Sequence, residues 1–158
     1  MNHRLLALSF AVAAVVALAP AALHAAGVPN PTTVISAAEV GKTLGGTFKQ
    51  DSPEEGVLFF NEEGGASRVV EVDLWAANGK TVDALRQQAE QDGEKIEDAP
   101  AGLGDAAMYR PQHFGVTVQK TDKAGTVLWL TISVQNVPAA AETKKQALAL
   151  AKLIAPRL

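Results

Sequence analysis

The sequence contains no cysteine. This absence excludes a fold held by disulfides, thiol catalysis, cysteine-ligated metal clusters and anchoring through a lipid-modified cysteine. Histidine is also scarce, since only His113 lies beyond residue 25. A histidine-based zinc site needs at least two such residues, so we expect no metal site.

Long apolar runs and an excess of positive charge are also missing. The longest apolar stretch, residues 5–18, is shorter than the roughly 20 residues that a membrane-spanning helix needs. The net charge is −3, so the chain lacks the surplus of Lys and Arg that attracts nucleic acid or anionic lipid. We therefore expect no nucleic-acid partner and no stable membrane insertion.

The first 25 residues have the pattern of a secretory signal peptide. A basic start containing Arg4 precedes the apolar stretch, and Pro20 breaks that stretch before a run of small residues. Cleavage after Ala25 leaves about 133 residues, a typical length for one domain. We expect residues 26–34 to be an extended lead-in and residues 35–158 a single domain, soluble and periplasmic or secreted, without a lipid anchor.

Periodicity and turn residues predict three helices and five main strands. The first helix starts at a capping box formed by Ser36 and Glu39. The last helix has Pro138 in its first turn and stops at Pro156. The remaining elements are strands at 57–60 and 68–75, a helix at 82–92, and strands at 106–110, 116–120 and 126–135. The polar connection at 95–104 leaves room for a further short strand around Ile96.

All links between these strands are short except the one through the second helix, and short links favour antiparallel pairing. The sequence therefore predicts an α+β domain of two layers, with an antiparallel sheet of about five strands and helices on one face. The predicted element order is α-β-β-α-β-β-β-α. Strand alternation turns Val70, Val72 and Leu74 toward the helices and places Trp75 and Trp129 on the opposite side of the sheet.

The two tryptophans indicate a contact surface. Aromatic residues make up only 5% of the chain, and exposed large aromatics are typical of binding surfaces. We predict a surface for a protein or small-molecule ligand near Trp75 and Trp129 or at the turn from Tyr109 to Phe114, which includes Arg110 and His113. Alternatively, loops or the N-terminal lead-in cover the tryptophans.

Two nucleotide-binding patterns are present only as fragments. Residues 41–43 read Gly-Lys-Thr but lie inside the predicted first helix, whereas a phosphate-binding loop follows a strand. Gly102, Gly104 and Ala107 match part of the dinucleotide fingerprint but lead into a strand and not into a helix. We therefore expect no cofactor.

A pair of carboxylates supports a different function. Glu71 and Asp73 share one face of their strand, about 7 Å apart, a separation that a two-carboxylate hydrolase could use. A small hydrolase using Glu71, Asp73 or Asp105 with His113 is therefore the alternative to a non-enzymatic binding module, although a solvated strand face also explains these charges. A third hypothesis is a periplasmic assembly or stress accessory protein. No residue is assigned as catalytic.

Four segments resemble small exported bacterial proteins and lipoproteins of unknown function. They are ISAAEVGKTLGG at 35–46, AGLGDAAMYRP at 101–111, the strands at 116–134, and ALALAKLIAPRL at 147–158. In that family an early helix, a G-L-G-D-x-A turn, a strand hairpin and a terminal helix recur in this order. Members often carry a lipidated cysteine, which this chain lacks. The resemblance implies an exported α+β domain without an established activity, and it supplies no catalytic residue.

Overall fold

The computed structural model describes residues 27–54, 56–65 and 67–158, and the predicted signal peptide with its cleavage site lies outside them. Within these ranges the chain forms three α-helices and seven strands. The helices are α1 (Ala37–Leu44), α2 (Val82–Gln91) and α3 (Ala140–Ile154). The strands are β1 (Phe48–Gln50), β2 (Val57–Glu62), β3 (Val69–Ala76), β4 (Glu97–Asp98), β5 (Ala106–Arg110), β6 (Gly115–Thr121) and β7 (Val127–Gln135).

The strands form one antiparallel sheet in the order β1-β2-β3-β7-β6-β5-β4. This arrangement confirms the α+β class and the antiparallel pairing. The predicted count of about five strands is wrong, because β1 and β4 add one short strand at each edge. β4 lies next to Ile96, where the sequence left room for a short strand, whereas β1 has only three residues, too few for alternation to reveal it.

One face of the sheet, the inner face, is covered by α1 and α3. Strand residues at alternate positions are fully buried there, as predicted for β3 and β7. They include Leu58, Phe60, Val70, Val72, Val116, Val118, Leu128, Leu130, Ile132 and Val134. Ala147, Leu150, Ala151 and Ile154 of α3 complete this core. Burial of these side chains, each worth about 1.5–3 kcal/mol relative to exposure, is the main stabilising contribution to the fold.

The outer face carries the tryptophans, and α2 packs on it, over β5 and β6. The backbone N–H of Val82 donates to the side chain of Gln119 at 2.9 Å, and Gln119 is the register partner of Trp129. Arg86 of α2 contacts Asp98 at 3.1 Å, and Asp98 pairs with the buried Met108. The helices therefore do not all share one face as predicted, because the long connection from β3 to β4 passes over the outer side.

Helix ends follow the predicted signals in part. The capping box is present, with Ser36 Oγ accepting from the Glu39 N–H at 3.4 Å and Glu39 Oε2 accepting from the Ser36 N–H at 2.9 Å. Pro138 lies before α3 instead of in its first turn, and Ala139 is the N-cap. Pro156 sits in a 3₁₀ turn that ends the helix.

The lead-in segment lies against the inner side of the domain. Pro31–Thr33 forms a short 3₁₀ helix in the segment expected to be extended. Val34 and Ile35 are buried in the core, and Arg157 donates to the Val34 carbonyl at 2.7 Å. The described part of the lead-in therefore leaves the outer face free. No helix within the described ranges is long and apolar enough to cross a membrane.

Candidate functional site

The outer face contains a hollow of about 480 Å³, which we call the polar cleft. Asp73, Thr131 and Thr117 lie in one row across β3, β7 and β6 and form part of its floor. Glu71 and Ser133 belong to the next row, which continues to Gly115. Because Gly115 has no side chain, the cleft stays open toward the turn after β5.

Glu71 and Asp73 form a close carboxyl pair in this floor. Burial, followed by the negative charge of Glu71 and a hydrogen bond between the two carboxyl groups, together raise the pKa of Asp73 to about 7. Ser133 Oγ donates to Glu71 Oε2 at 3.3 Å. Asp73 Oδ1 is buried and accepts no hydrogen bond from any residue that the structure describes. The pair can therefore hold one proton near neutral pH and still accept a donor from a ligand.

The rim of the polar cleft is an ion-pair cluster. Arg110 donates to Glu94 through Nε at 3.0 Å and through Nη2 at 2.8 Å, and His113 Nε2 lies 3.2 Å from Glu94 Oε2. The hydrogen bond from Arg110, with a smaller contribution from His113, lowers the pKa of Glu94. Because Glu94 already neutralises Arg110, this rim is not a free anion-binding site.

Phe114 stands beside this cluster on the rim. Its side chain is 49% exposed and its φ is 54°, in the left-handed region that residues other than glycine rarely adopt. The sequence predicted a contact surface at the turn that ends with Phe114, and the structure places Phe114 among the residues that line the cleft.

A second hollow, of about 490 Å³, adjoins the polar cleft, and we call it the aromatic pocket. Phe59 and Trp75 supply its rings, Val57 its aliphatic surface, and Glu54 and Glu71 its carboxylates. Glu71 lines both hollows. The two hollows meet at Glu71, and we refer to them together as the groove, which is polar on the β7 side of β3 and aromatic on the β2 side.

The two tryptophans lie side by side on the outer face. They share this face, as strand parity predicts, and the structure shows in addition that they are direct register partners in β3 and β7; Trp75 is 43% exposed. Trp129 is half-buried, and its Nε1 has no hydrogen-bond partner within the described residues. Trp75 lines the aromatic pocket, and Trp129 supports it from the neighbouring strand.

Tyr109 does not belong to this surface. It is 3% exposed and lies on the inner face, with Lys144 Nζ 5.2 Å from the centre of its ring. Burial, followed by the charge of Glu97, raises its pKa. Alternation could not place Tyr109, because β5 is covered on both sides and Met108 is buried as well.

Asp105 also lies apart from the groove. Its Oδ2 accepts from the backbone N–H of Thr121 at 2.6 Å, and hydrogen bonding to Thr121 lowers its pKa. Asp105 therefore stabilises the end of β6. Of the carboxylates proposed for a hydrolase, only Glu71 and Asp73 share the polar cleft with His113.

The described residues contain no group of three or more His, Asp or Glu side chains placed to hold a metal ion. In comparisons with known proteins, no family model, no curated protein and no solved structure matches the chain. The resemblance to small exported proteins therefore stays a prediction from the sequence motifs.

Proposed function

We propose that this protein is an exported, non-enzymatic binding module that holds a small polar ligand in the polar cleft. The signal-peptide pattern supports export. The observation that carries the binding proposal is the polar cleft itself, in which the carboxyl groups of Glu71 and Asp73 lie in adjacent rows of the strand floor beside the hydroxyl groups of Thr131 and Ser133. Hydrogen bonds from a ligand to charged groups of this kind are each worth about 1.5–3 kcal/mol.

The cleft also has the form of a ligand site. Its volume of about 480 Å³ lies in the range of small-molecule pockets, and its floor is made of strands, which hold polar groups rigidly. Hydroxyl groups of Thr117, Thr131 and Ser133 lie next to the carboxyl pair. These groups can both donate and accept hydrogen bonds, which suits a ligand with several polar groups.

A thermal-shift screen with a cleft-filling variant tests this proposal. Mature protein is mixed with amines, carboxylic acids, sugars and phosphate, and each compound is repeated with Thr131→Trp, whose indole would fill the cleft. At a ligand concentration of 100 times Kd, the melting temperature should rise by roughly 8 °C in the unmodified protein only. Thr121→Trp, at an exposed position outside the cleft, is the matched control. The proposal fails if no compound stabilises the unmodified protein more than Thr131→Trp.

A small hydrolase is the second candidate, and one observation favours it. Glu71, Asp73 and His113 line the same cleft, and a carboxyl pair with one pKa near 7 can supply an acid and a base at neutral pH. Chromogenic esters and glycosides test it directly. Turnover by the unmodified protein that disappears in Glu71→Gln would favour the hydrolase. The absence of turnover in the unmodified protein would favour the binding module.

A further inference from the structure

The aromatic pocket combines two features that suit a cation. Phe59 and Trp75 provide aromatic surface, and Glu54 and Glu71 provide negative charge. Ring faces attract ammonium groups through their quadrupole, and this attraction adds to that of a nearby carboxylate. No Lys or Arg lies among the described residues that line this pocket.

We propose that the groove binds a primary alkylammonium ligand, with the ammonium group at Glu71 and the alkyl chain against Trp75 and Phe59. This inference rests on the proposed function, because it names the ligand class of the same groove. Glu71 is the natural position for the charge, since it lines both hollows.

The polar cleft also favours an ammonium group at Glu71. An ammonium group has three N–H donors and no acceptor. Glu71 and Asp73 both line the cleft, and Ser133 Oγ, which can also accept, lies beside Glu71. An ammonium group at Glu71 would therefore donate hydrogen bonds to the carboxyl pair. The alkyl chain of the same ligand would be transferred from water onto the aromatic rings.

Binding should depend on pH because Asp73 changes charge near neutrality. The charged or titratable groups that share the cleft with Asp73 are Glu71 on its own strand and Arg110 and His113 across the cleft, while β6 and β7 present Thr117 and Thr131. With a pKa of about 7, Asp73 becomes negative between pH 6 and pH 8. Affinity for a cation should rise severalfold over that interval.

Titration with pentylammonium, 1-pentanol and pentanoate tests the inference, with tryptophan fluorescence as the signal because Trp75 lines the pocket. A ligand of six heavy atoms should bind with a Kd on the order of 1 mM. We expect pentylammonium to bind at least tenfold more tightly than the other two compounds. Affinity should also fall when the salt concentration rises, because the groove is open to solvent.

Variants then identify the groups responsible. Glu71→Gln, which keeps the shape of the side chain, should weaken pentylammonium binding at least tenfold, and Trp75→Ala should weaken it about fivefold. Glu90→Gln removes one exposed charge on α2 and should leave affinity unchanged. Asp73→Asn should abolish the rise in affinity between pH 6 and pH 8, whereas His113→Asn should retain it.

The outcomes separate this inference from the proposed function. Equal or tighter binding of pentanol or pentanoate would overturn the amine inference and leave a binding groove in place. An undiminished affinity in Glu71→Gln would also overturn it. If pentylammonium does not bind at about 10 mM, the amine inference fails, and the compound screen with Thr131→Trp still decides the proposed function.

Discussion

The half-buried carboxyl group of Asp73 makes the stability of the protein depend on pH. Its pKa rises from the ordinary 3.8 to about 7 in the folded state, mainly through burial and then through Glu71. The folded protein therefore holds this proton more tightly than the unfolded chain does. The stabilising contribution is complete below pH 3.8 and is lost as the pH rises to about 7.

The size of this effect follows from the two pKa values. A rise from 3.8 to about 7 corresponds to at most about 4 kcal/mol, at about 1.36 kcal/mol for each pH unit. Asp73 is only partly buried, so solvent screening reduces this value, and about 2 kcal/mol is a reasonable expectation. Asp73→Asn mimics the protonated form, because its amide can donate to Glu71. It should therefore be about 2 kcal/mol more stable than the unmodified protein at pH 8 and nearly equal to it at pH 4.

Urea unfolding followed by circular dichroism at several pH values between 4 and 8 measures this difference. Circular dichroism is preferable to fluorescence because Trp75 lies close to the substituted site. Asp92→Asn, at the exposed C-terminal end of α2, is the control for losing one negative charge. A stability gain of the same size at pH 4 and pH 8 would refute the reasoning, as would an Asp73→Asn protein that is less stable than the parent at pH 8.

Substitutions at three positions test the packing of the scaffold, and the stability of each variant is measured by urea unfolding at pH 7. Ser36→Ala removes the capping hydroxyl of α1 and should cost about 1 kcal/mol, whereas Ser36→Thr should retain most of the stability. Arg68→Ala removes the guanidinium that forms the 2.6 Å ion pair with Glu62 and should cost about 3 kcal/mol, since both side chains are at least 88% buried. Arg68→Lys should be intermediate, because it keeps the charge and loses the forked geometry. Gly104→Ala would press its Cβ against the carbonyl oxygen of Gln119 and should cost about 2 kcal/mol, because backbone cannot move aside as a side chain can.

Each expectation has a contradicting result. Equal stability of Ser36→Ala and the parent protein would show that the capping box adds little to α1. An Arg68→Ala protein within about 0.5 kcal/mol of the parent would mean that solvent already screens the ion pair. An unchanged Gly104→Ala protein would show that the end of β6 shifts to make room.

Most secondary structure could be predicted because its signals are local. The capping box marked α1, and alternation marked β3 and β7 and oriented both correctly. The polar connection indicated a short strand near Ile96, where β4 lies, but the edge strand β1 was missed, because pairing with a longer neighbour, and not its own pattern, makes it a strand. The sequence also did not indicate which face of the sheet α2 covers. The apolar stripe of α2 shows that one side of the helix is buried, but not against which face of the sheet.

The site could be predicted only in pieces. Parity put Trp75, Trp129, Glu71 and Asp73 on the same outer face, but only the pairing of β3 with β7 shows that the two tryptophans are neighbours. The turn pattern placed His113 near an exposed loop. The sequence could not show that this turn reaches β3, because the two segments are about 40 residues apart and meet only through the sheet order β3-β7-β6-β5.

The sequence by itself determined the α+β class and the face that each long strand turns to the core, and its signal-peptide pattern predicts export. These properties depend on short-range periodicity and on the chemistry of single residues. The tertiary structure decided the strand order, the crossing of α2 to the outer face and the meeting of Glu71, Asp73 and His113 in one cleft. Such contacts depend on which long-range arrangement of the strands and helices buries the most apolar surface. Local sequence patterns do not distinguish between these arrangements.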